Sequence, residues 1–196
     1  MRGKAILFSL LIAATAVSTQ AQTLNVAKKG DKAVLFNFVG LSALNLNAYQ
    51  GGIGGKYFLS NRLALRGMLL FGIDNTTVAA SSLVSQSKND NLSVGINAGL
   101  EYHLVLASRI SPYVGGTVLF ENTQTTVTPG LGSEKTTTFG AGLIGGVEYF
   151  FNQNISLAAE YQFGVSDAIN SAAGSPNQTE VKVGFQTTGL TLAAYF

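Results

Sequence analysis

The sequence has no cysteine and no tryptophan, and only three of its 196 residues are proline. Without cysteine, a disulfide framework and a thiolate metal site are excluded. Charged residues make up 11% of the chain, whereas soluble domains carry roughly 25%. Beyond the N-terminal region, no apolar run reaches the length of about 18 residues that a membrane-spanning helix needs. This composition is unusual for a soluble domain, and it excludes a helical membrane protein over most of the chain.

The first residues have the pattern of a secretory signal peptide. Arg2 and Lys4 form a basic start, residues 5–16 an apolar core, and residues 19–21 a cleavage site with small side chains. We predict a signal peptide at residues 1–21; a first core helix is the alternative. Without Arg2 and Lys4, ten basic residues balance ten acidic ones. The mature chain is therefore formally neutral and lacks the basic footprint of a nucleic-acid-binding protein.

A hydrophobic period of two begins after a short polar segment, residues 22–32, which we expect in the periplasm. Between residues 155 and 165 the odd positions are apolar, and the even positions are small, polar or charged. Such alternation is typical of a strand with two unlike faces. No convincing helical period follows the signal. Eight strands are predicted within a single domain at residues 33–196, over residues 34–40, 49–59, 62–71, 92–103, 112–121, 138–149, 155–165 and 180–196.

The last predicted strand changes the parity of its apolar positions from odd to even near Thr187 and Thr188. A β-bulge produces such a change. A tight hairpin at residues 186–189 is the alternative.

Connections of two lengths alternate along the chain. Residues 59–62, 106–111 and 151–154 are short connections, while the intervening ones are longer and rich in Ser, Thr, Asn and Gly. Short turns at one end and long loops at the other are typical of outer-membrane barrels. The predicted long loops cover residues 74–90, 123–134 and 167–178.

The composition of the two strand faces indicates which of them points inward. In a soluble sandwich or lipocalin-like barrel, the polar face would meet water and carry many charges. Here that face is mostly Gly, Ala, Ser and Asn. A small closed barrel has room inside only for side chains, and its apolar face meets lipid while its backbone groups bond to each other. We therefore predict an all-β, eight-stranded, antiparallel, up-and-down transmembrane β-barrel.

Several charged residues share the parity of the inward face. An unpaired charge is costly to bury, so we expect these residues to pair in an interior charge network. The predicted members are Lys56, Arg62, Arg66, Glu101, Glu121, Glu148, Glu160 and Lys182.

Tyrosines follow charged residues at one end of the predicted strands. Tyr57, Tyr102 and Tyr149 fall near the short-turn end and on the lipid face. Tyrosine at the lipid–headgroup boundary forms an aromatic girdle, and we predict one here. Tyr161, which follows Glu160, lies nearer the middle of its strand and fits less well.

Residues 51–66, residues 149–161 and the terminal Tyr195-Phe196 resemble the small outer-membrane β-barrel proteins of Gram-negative-type bacteria, similar to the OmpA transmembrane domain and OmpX-like barrels. The resemblance covers nearly all of the mature chain. It implies a place in the bacterial outer membrane, contact with its lipids, and a monomer. It also implies an assembly signal for the barrel-assembly machinery, although Thr191 stands where a glycine is common. The residues of that signal are Leu192, Tyr195 and Phe196.

The remaining motifs do not indicate a catalytic or binding site. Residues 140–145 match a dinucleotide fingerprint as a string, but they lie inside one strand instead of between a strand and a helix. Residues 51–56 resemble a phosphate loop whose glycine-to-lysine spacing is one residue short. His103 is the single histidine and is interpreted as a hydrogen-bonded lumen or rim residue, since a triad needs a nucleophile and an acid beside it. We expect no catalytic, metal or cofactor site.

Three functions fit this sequence. The first is a structural or surface-interaction barrel, with a lumen plugged by side chains and long loops that contact a surface partner. The second is a narrow porin-like channel for small solutes, to which the lumen glycines would give room. The third, a soluble secreted lipocalin-like binder, is favoured least.

Overall fold

A closed antiparallel barrel is the architecture of the computed structural model, which describes residues 27–39, 48–78, 87–105, 109–128, 132–172 and 176–196. Each strand pairs with its neighbours in sequence, and the last pairs with the first. The predicted signal peptide and the start of the 22–32 segment lie outside the described residues. Over the described ranges no helix is long and apolar enough to cross a membrane. The strands are β1 Lys32–Val39, β2 Ala48–Phe58, β3 Leu63–Val78, β4 Ser87–His103, β5 Ile110–Thr128, β6 Gly132–Phe150, β7 Ile155–Ala172 and β8 Gln178–Tyr195.

The apolar face of the strands points outward, as the sequence predicts. Leu69, Ile96 and Leu143 are each more than half exposed, with relative accessibilities of 60%, 54% and 68%. Charged side chains of the opposite parity, such as Arg66 and Glu101, are buried inside. This arrangement is the reverse of a soluble barrel, and it confirms the predicted transmembrane β-barrel.

The outward apolar positions form a belt around the barrel, and on β3 and β4 its two edges coincide. On β3 the belt covers residues 63–73 and on β4 residues 92–102; just beyond it, Asn75 pairs with Asp90. Strands of this length, with a rise of about 3.3 Å per residue and a tilt of about 40°, span about 25 Å. That height matches the hydrocarbon thickness that such a barrel must cross.

Three pairs of strands continue beyond the belt, so the predicted long loops are wrong over most of their length. Residues 123–128 belong to β5 and residues 132–134 to β6, and Thr123 pairs with Thr136. The hairpins of β3 with β4 and of β7 with β8 extend in the same way. Threonine favours strands, but where polar residues occupy both faces the hydrophobic alternation disappears.

A register shift in β8 explains its change of parity. Phe163 pairs with Phe185 and Gln162 with Thr187, so Gln186 is the extra residue. Gly184, two positions before it, has φ +147°, a conformation that glycine adopts readily. Since β8 runs through this point as one strand, the predicted bulge is confirmed and the hairpin alternative is wrong.

Apolar and aromatic side chains fill the lumen at the short-turn end. Leu35, Phe58, Phe150 and Tyr195 are 0%, 0%, 1% and 6% exposed and pack in one cluster. The turns at residues 59–62 and 151–154 and the C-terminal residue lie at this end. This packed layer lies between the short turns and the buried charged residues of the lumen.

Candidate functional site

Five charged side chains meet in the middle of the lumen. Arg66 donates from Nη1 to Glu160 Oε2 at 2.5 Å and from Nη2 to Glu160 Oε1 at 2.8 Å, which makes the pair bidentate. Its Nη1 also donates to Glu101 Oε1 at 3.0 Å. Lys56 Nζ lies 2.8 Å from Glu101 Oε2 and 3.2 Å from Glu148 Oε2. Glu101 thus joins the two cations, and the five residues form one ion cluster.

The ion cluster connects opposite walls of the barrel. Arg66 on β3 bonds to Glu160 on β7, and Lys56 on β2 bonds to Glu148 on β6. Strands four apart in a ring of eight lie on opposite sides of the axis. These ion pairs therefore cross the lumen, and none of the five residues is more than 6% exposed.

Hydroxyl groups add hydrogen bonds to two of the three carboxylates. Tyr113 donates to Glu160 Oε2 at 2.9 Å, and Tyr195 donates to Glu148 Oε1 at 2.7 Å. Ser156 also donates to Glu148 Oε1. Such bonds offset the cost of burying an ion pair by satisfying its remaining lone pairs, and the lumen supplies them for Glu160 and Glu148.

His103 lies beneath the cluster, and its hydrogen bonds determine the protonation of Nδ1. Its Nδ1 is 2.8 Å from Ser111 Oγ, and Ser111 donates its own proton to the carbonyl of Val105 at 2.6 Å. His103 Nδ1 must therefore carry a proton and donate to Ser111. The other ring nitrogen, Nε2, lies 3.4 Å from Glu101 Oε2.

Ser111, His103 and Glu101 thus form a string with the composition of a catalytic triad, but its geometry does not suit catalysis. A nucleophile has to donate its proton to the histidine, whereas Ser111 donates to a backbone carbonyl. The three residues are 0%, 0% and 1% exposed, so a substrate has no access to them. We interpret the string as structural.

Two predicted members of the network lie outside it. Arg62 is in the exposed turn between β2 and β3, beyond the end of the lumen, so its prediction is wrong. Lys182 is 62% exposed and pairs with Glu180 at 3.2 Å, so its prediction is wrong as well. Lys182 lies on the far side of the register shift in β8 from Glu160, the member of the ion cluster on the neighbouring strand.

Glu121 points into the lumen but does not join the cluster. It accepts a hydrogen bond from Thr123 at 3.2 Å. With Arg66, Asn97 and Gln162 it lines a cavity of about 80 Å³ between the ion cluster and the long-connection end. The lumen thus contains a cavity on the side of the ion cluster that faces the long connections, and it is filled at the cluster and on the side of the short turns.

Sequence reasoning missed the uncharged partners of the cluster. Tyr113 and Ser111 share one face of β5 with Glu121, and this common parity is the signal that could have identified them. Tyr195, predicted as part of the assembly signal, points inward. The other two residues of that signal, Leu192 and Phe196, are 38% and 75% exposed on the outer side.

The three tyrosines of the predicted girdle lie on the outer face. Tyr57, Tyr102 and Tyr149 are 41%, 43% and 38% exposed. Each stands one residue before the last residue of its strand at the short-turn end. They therefore share one level on the barrel, at the lower edge of the apolar belt.

A comparison with protein-family models matches residues 7–188 to the outer membrane protein beta-barrel domain. The chain belongs to this family. No curated protein matches the sequence. Among solved structures, the barrel is similar to the outer membrane protein OprG from Pseudomonas aeruginosa, with 16% identity and a TM-score of 0.56 over 88% of this chain and 99% of that one. It is also similar to Ail of Yersinia pestis, with 16% identity and a TM-score of 0.49 over 86% and 99%.

Membership in the family places this outer-membrane barrel in the lipid bilayer of the bacterial outer membrane. The apolar belt is its lipid-facing surface. In the part of the chain that the structure describes, no group of three or more His, Cys, Asp or Glu residues is placed to hold a metal ion.

Proposed function

We propose that this outer-membrane barrel is a structural and surface-interaction protein with a closed lumen. The main support for the proposal is that two ion pairs cross the lumen, Arg66 with Glu160 and Lys56 with Glu148. Each joins opposite walls at hydrogen-bonding distance, so side chains occupy the barrel axis. Eight strands leave space for side chains and not for a wide aqueous path.

A second layer closes the barrel below the ion cluster. The ring centroids of Phe58 and His103 are 5.2 Å apart, those of Phe58 and Tyr195 6.4 Å, and those of Phe150 and Tyr195 5.5 Å. These distances are typical of packed aromatic side chains. A solute would have to displace both layers to pass.

The strands beyond the belt provide the surface for interaction. The ends of β5 and β6 carry exposed polar residues, among them Gln124, Thr126 and Lys135. Because these strands are hydrogen-bonded to each other, they hold their side chains in a fixed array. Their polar composition suits a hydrophilic surface partner more than lipid.

Conductance in planar bilayers tests the closed lumen. We expect the refolded full-length protein to give no steady openings, while a general porin in the same bilayers serves as the positive control. Steady single-channel conductance of the wild-type protein would contradict the proposal.

The second candidate function is a narrow channel for small solutes. The cavity above the ion cluster favours it, as do inward-facing glycines such as Gly142. If the wild-type protein conducts, the replacement Gly142→Leu should abolish the openings, because its side chain would occupy the lumen. A soluble lipocalin-like binder is incompatible with the outward apolar belt.

We also propose that the protein is a monomer, that it has no enzymatic activity, and that the barrel-assembly machinery recognises its last strand. The support for recognition is the exposure of Leu192 and Phe196 on the outer face of β8. Deleting Phe196 should reduce the amount of heat-modifiable, folded protein in the membrane fraction, and equal amounts would contradict this role.

A further inference from the structure

The charged side chains of the barrel are distributed unequally along its axis. The end with the short turns carries five cations and one carboxylate, and the opposite end carries three cations and six carboxylates. The ion cluster accounts for the remaining charges of residues 27–196. At the short-turn end the charged residues are Lys28, Lys29, Asp31, Lys32, Arg62 and Arg109. At the opposite end they are Asp74, Lys88, Asp90, Glu121, Glu134, Lys135, Asp167, Glu180 and Lys182.

Three of the cations at the short-turn end accompany the three outer tyrosines. Lys32 pairs directly with Tyr57. Arg62 directly precedes the partner of Tyr102, which is residue 63, and Arg109 directly precedes the partner of Tyr149, which is residue 110. Each tyrosine therefore has a cation at its own level or one residue further from the belt.

Backbone hydrogen bonds fix these positions. The residue after Tyr102 donates from its backbone N–H to the carbonyl of Arg62 at 2.8 Å, and the residue after Tyr149 donates to the carbonyl of Arg109, also at 2.8 Å. On β1, the carbonyl of Lys32 accepts from the backbone N–H of Phe196 at 2.9 Å. The backbone that bears these cations is therefore held in place at the rim of this end of the barrel, and their long side chains can reach toward the bilayer.

The five cations of this rim have their charges available. Among the described residues, none of them forms an ion pair within the protein, and Lys28, Lys29, Lys32 and Arg62 are exposed. The single carboxylate side chain of this end, Asp31, accepts a hydrogen bond from the backbone N–H of Lys28 at 2.8 Å. A partner with several negative charges would therefore complement this rim.

We propose that this cationic rim, Lys28, Lys29, Lys32, Arg62 and Arg109, binds the phosphates of anionic phospholipid headgroups around the barrel. In outer-membrane barrels the short turns lie on the periplasmic side, so the lipids concerned are those of the periplasmic leaflet. Tyrosines that mark the lipid–headgroup boundary place the adjacent cations at the level of the phosphates. Lysine and arginine near an anionic membrane surface attract its lipids by their charge.

The direction of the Lys32 side chain favours phospholipid over the anionic cell wall. Lys32 has the same parity as Phe36 and Phe38, which are 39% and 42% exposed on the lipid face of β1. Its side chain therefore leaves the barrel sideways, beside Tyr57, and not along the axis. A headgroup at the barrel wall lies in that direction, whereas the cell wall lies below the turns.

Lipid selectivity of the refolded full-length protein tests the proposal. The protein is placed in phosphatidylcholine vesicles that contain spin-labelled phosphatidylglycerol or spin-labelled phosphatidylcholine, and the immobilised fraction of each label is measured. We expect a preference for phosphatidylglycerol on the order of fivefold, comparable to the effect of one cation at a membrane surface. The preference should decrease in 1 M salt, where the screening length is about 3 Å.

Two variants distinguish the effect of the rim cations on lipid selectivity from the effect of the net charge of the protein. Replacing all five rim cations by glutamine should remove the preference. Replacing Lys88, Lys135 and Lys182 by glutamine should leave the preference unchanged, because these cations lie at the opposite end. Heat-modifiable migration on a gel verifies that each variant is folded.

Other results would overturn the proposal. Equal immobilisation of both labels by the wild-type protein would contradict it directly, as would a preference that the five replacements leave intact. Sedimentation with purified peptidoglycan, without lipid selectivity, would assign the rim to the cell wall instead. If the variant with five replacements fails to fold, the salt dependence of the lipid preference of the wild-type protein still tests the proposal.

Discussion

Arg66 and Glu160 lie on opposite walls of the barrel, and the guanidinium of one donates two hydrogen bonds to the carboxylate of the other. The same guanidinium bonds to Glu101 on the adjacent strand β4. One arginine therefore holds three strands, β3, β4 and β7, to a common centre. The stability of the barrel should depend on this contact more than on any charge at its surface.

The replacement Arg66→Met should destabilise the barrel by about 3–5 kcal/mol, because it leaves carboxylates buried without their cation. Urea-induced unfolding in detergent micelles or vesicles measures the change. The matched control is Lys88→Met, which removes a cation that is 54% exposed and paired with Asp90. The control should change the free energy of unfolding by about 0–1 kcal/mol.

A double replacement refines this prediction. Adding Glu160→Gln to Arg66→Met removes one of the unpaired charges and should restore part of the lost stability. Equal stability of wild type and Arg66→Met would show that the ion cluster does not hold the barrel together.

Two neighbouring glycines on β6 should respond differently to substitution. A Cβ atom at Gly146 would lie 2.5 Å from the ring and hydroxyl of Tyr113, whereas a Cβ atom at Gly145 would meet nothing within 4 Å. Gly146→Ala should therefore cost about 1–3 kcal/mol through overpacking. Gly145→Ala on the outer face should stay within about 0.5 kcal/mol of wild type, and urea unfolding compares the two. Equal effects would argue against the described packing of Tyr113.

The single histidine allows a direct test of its tautomer. We expect Nδ1 of His103 to carry a proton, because Ser111 Oγ donates to Val105 and can only accept from the ring. Nitrogen-15 NMR of the protein labelled at histidine distinguishes a protonated Nδ1 from an unprotonated one. A neutral ring with its proton on Nε2 alone would contradict the assignment. Ser111→Ala should shift the Nδ1 resonance.

The absence of tryptophan makes the chain suitable for a fluorescent reporter of membrane depth. Tryptophan at position 143 replaces a leucine that is 68% exposed in the apolar belt. Its fluorescence should be quenched strongly by lipids brominated in their acyl chains. The matched control, Thr126→Trp, lies on the part of β5 beyond the belt and should be quenched little. The opposite order of quenching would place the belt outside the bilayer.

Much of the fold follows from the sequence, because a closed barrel of this size repeats one simple rule. Alternation between apolar and small polar residues identifies each strand inside the belt and the side of it that meets lipid. It fails beyond the belt, where Thr123 and Thr136 pair on strands that carry polar residues on both faces. In that region strand propensity remains but the hydrophobic period is lost.

The ion cluster could be predicted only in part, because parity gives the face of a residue and not its height. Arg62 and Lys182 have the expected parity but lie at the two ends of the barrel, whereas Lys56 and Arg66 lie at one level. Aromatic residues add a second ambiguity. Tyr195 packs inside and Tyr149 outside, and an amphipathic ring is suited to both places.

The cross-lumen ion pairs also determine when the lumen of this protein can be sealed during its assembly. Lys56 and Glu148 are 92 residues apart in sequence, and Arg66 and Glu160 are 94 apart. Neither pair can form until the sixth and seventh strands have reached the membrane. Glu101 on β4 can pair with Lys56 and Arg66 earlier, but the ion pairs that cross the lumen have to wait for the second half of the chain, so sealing of the cylinder is a late step.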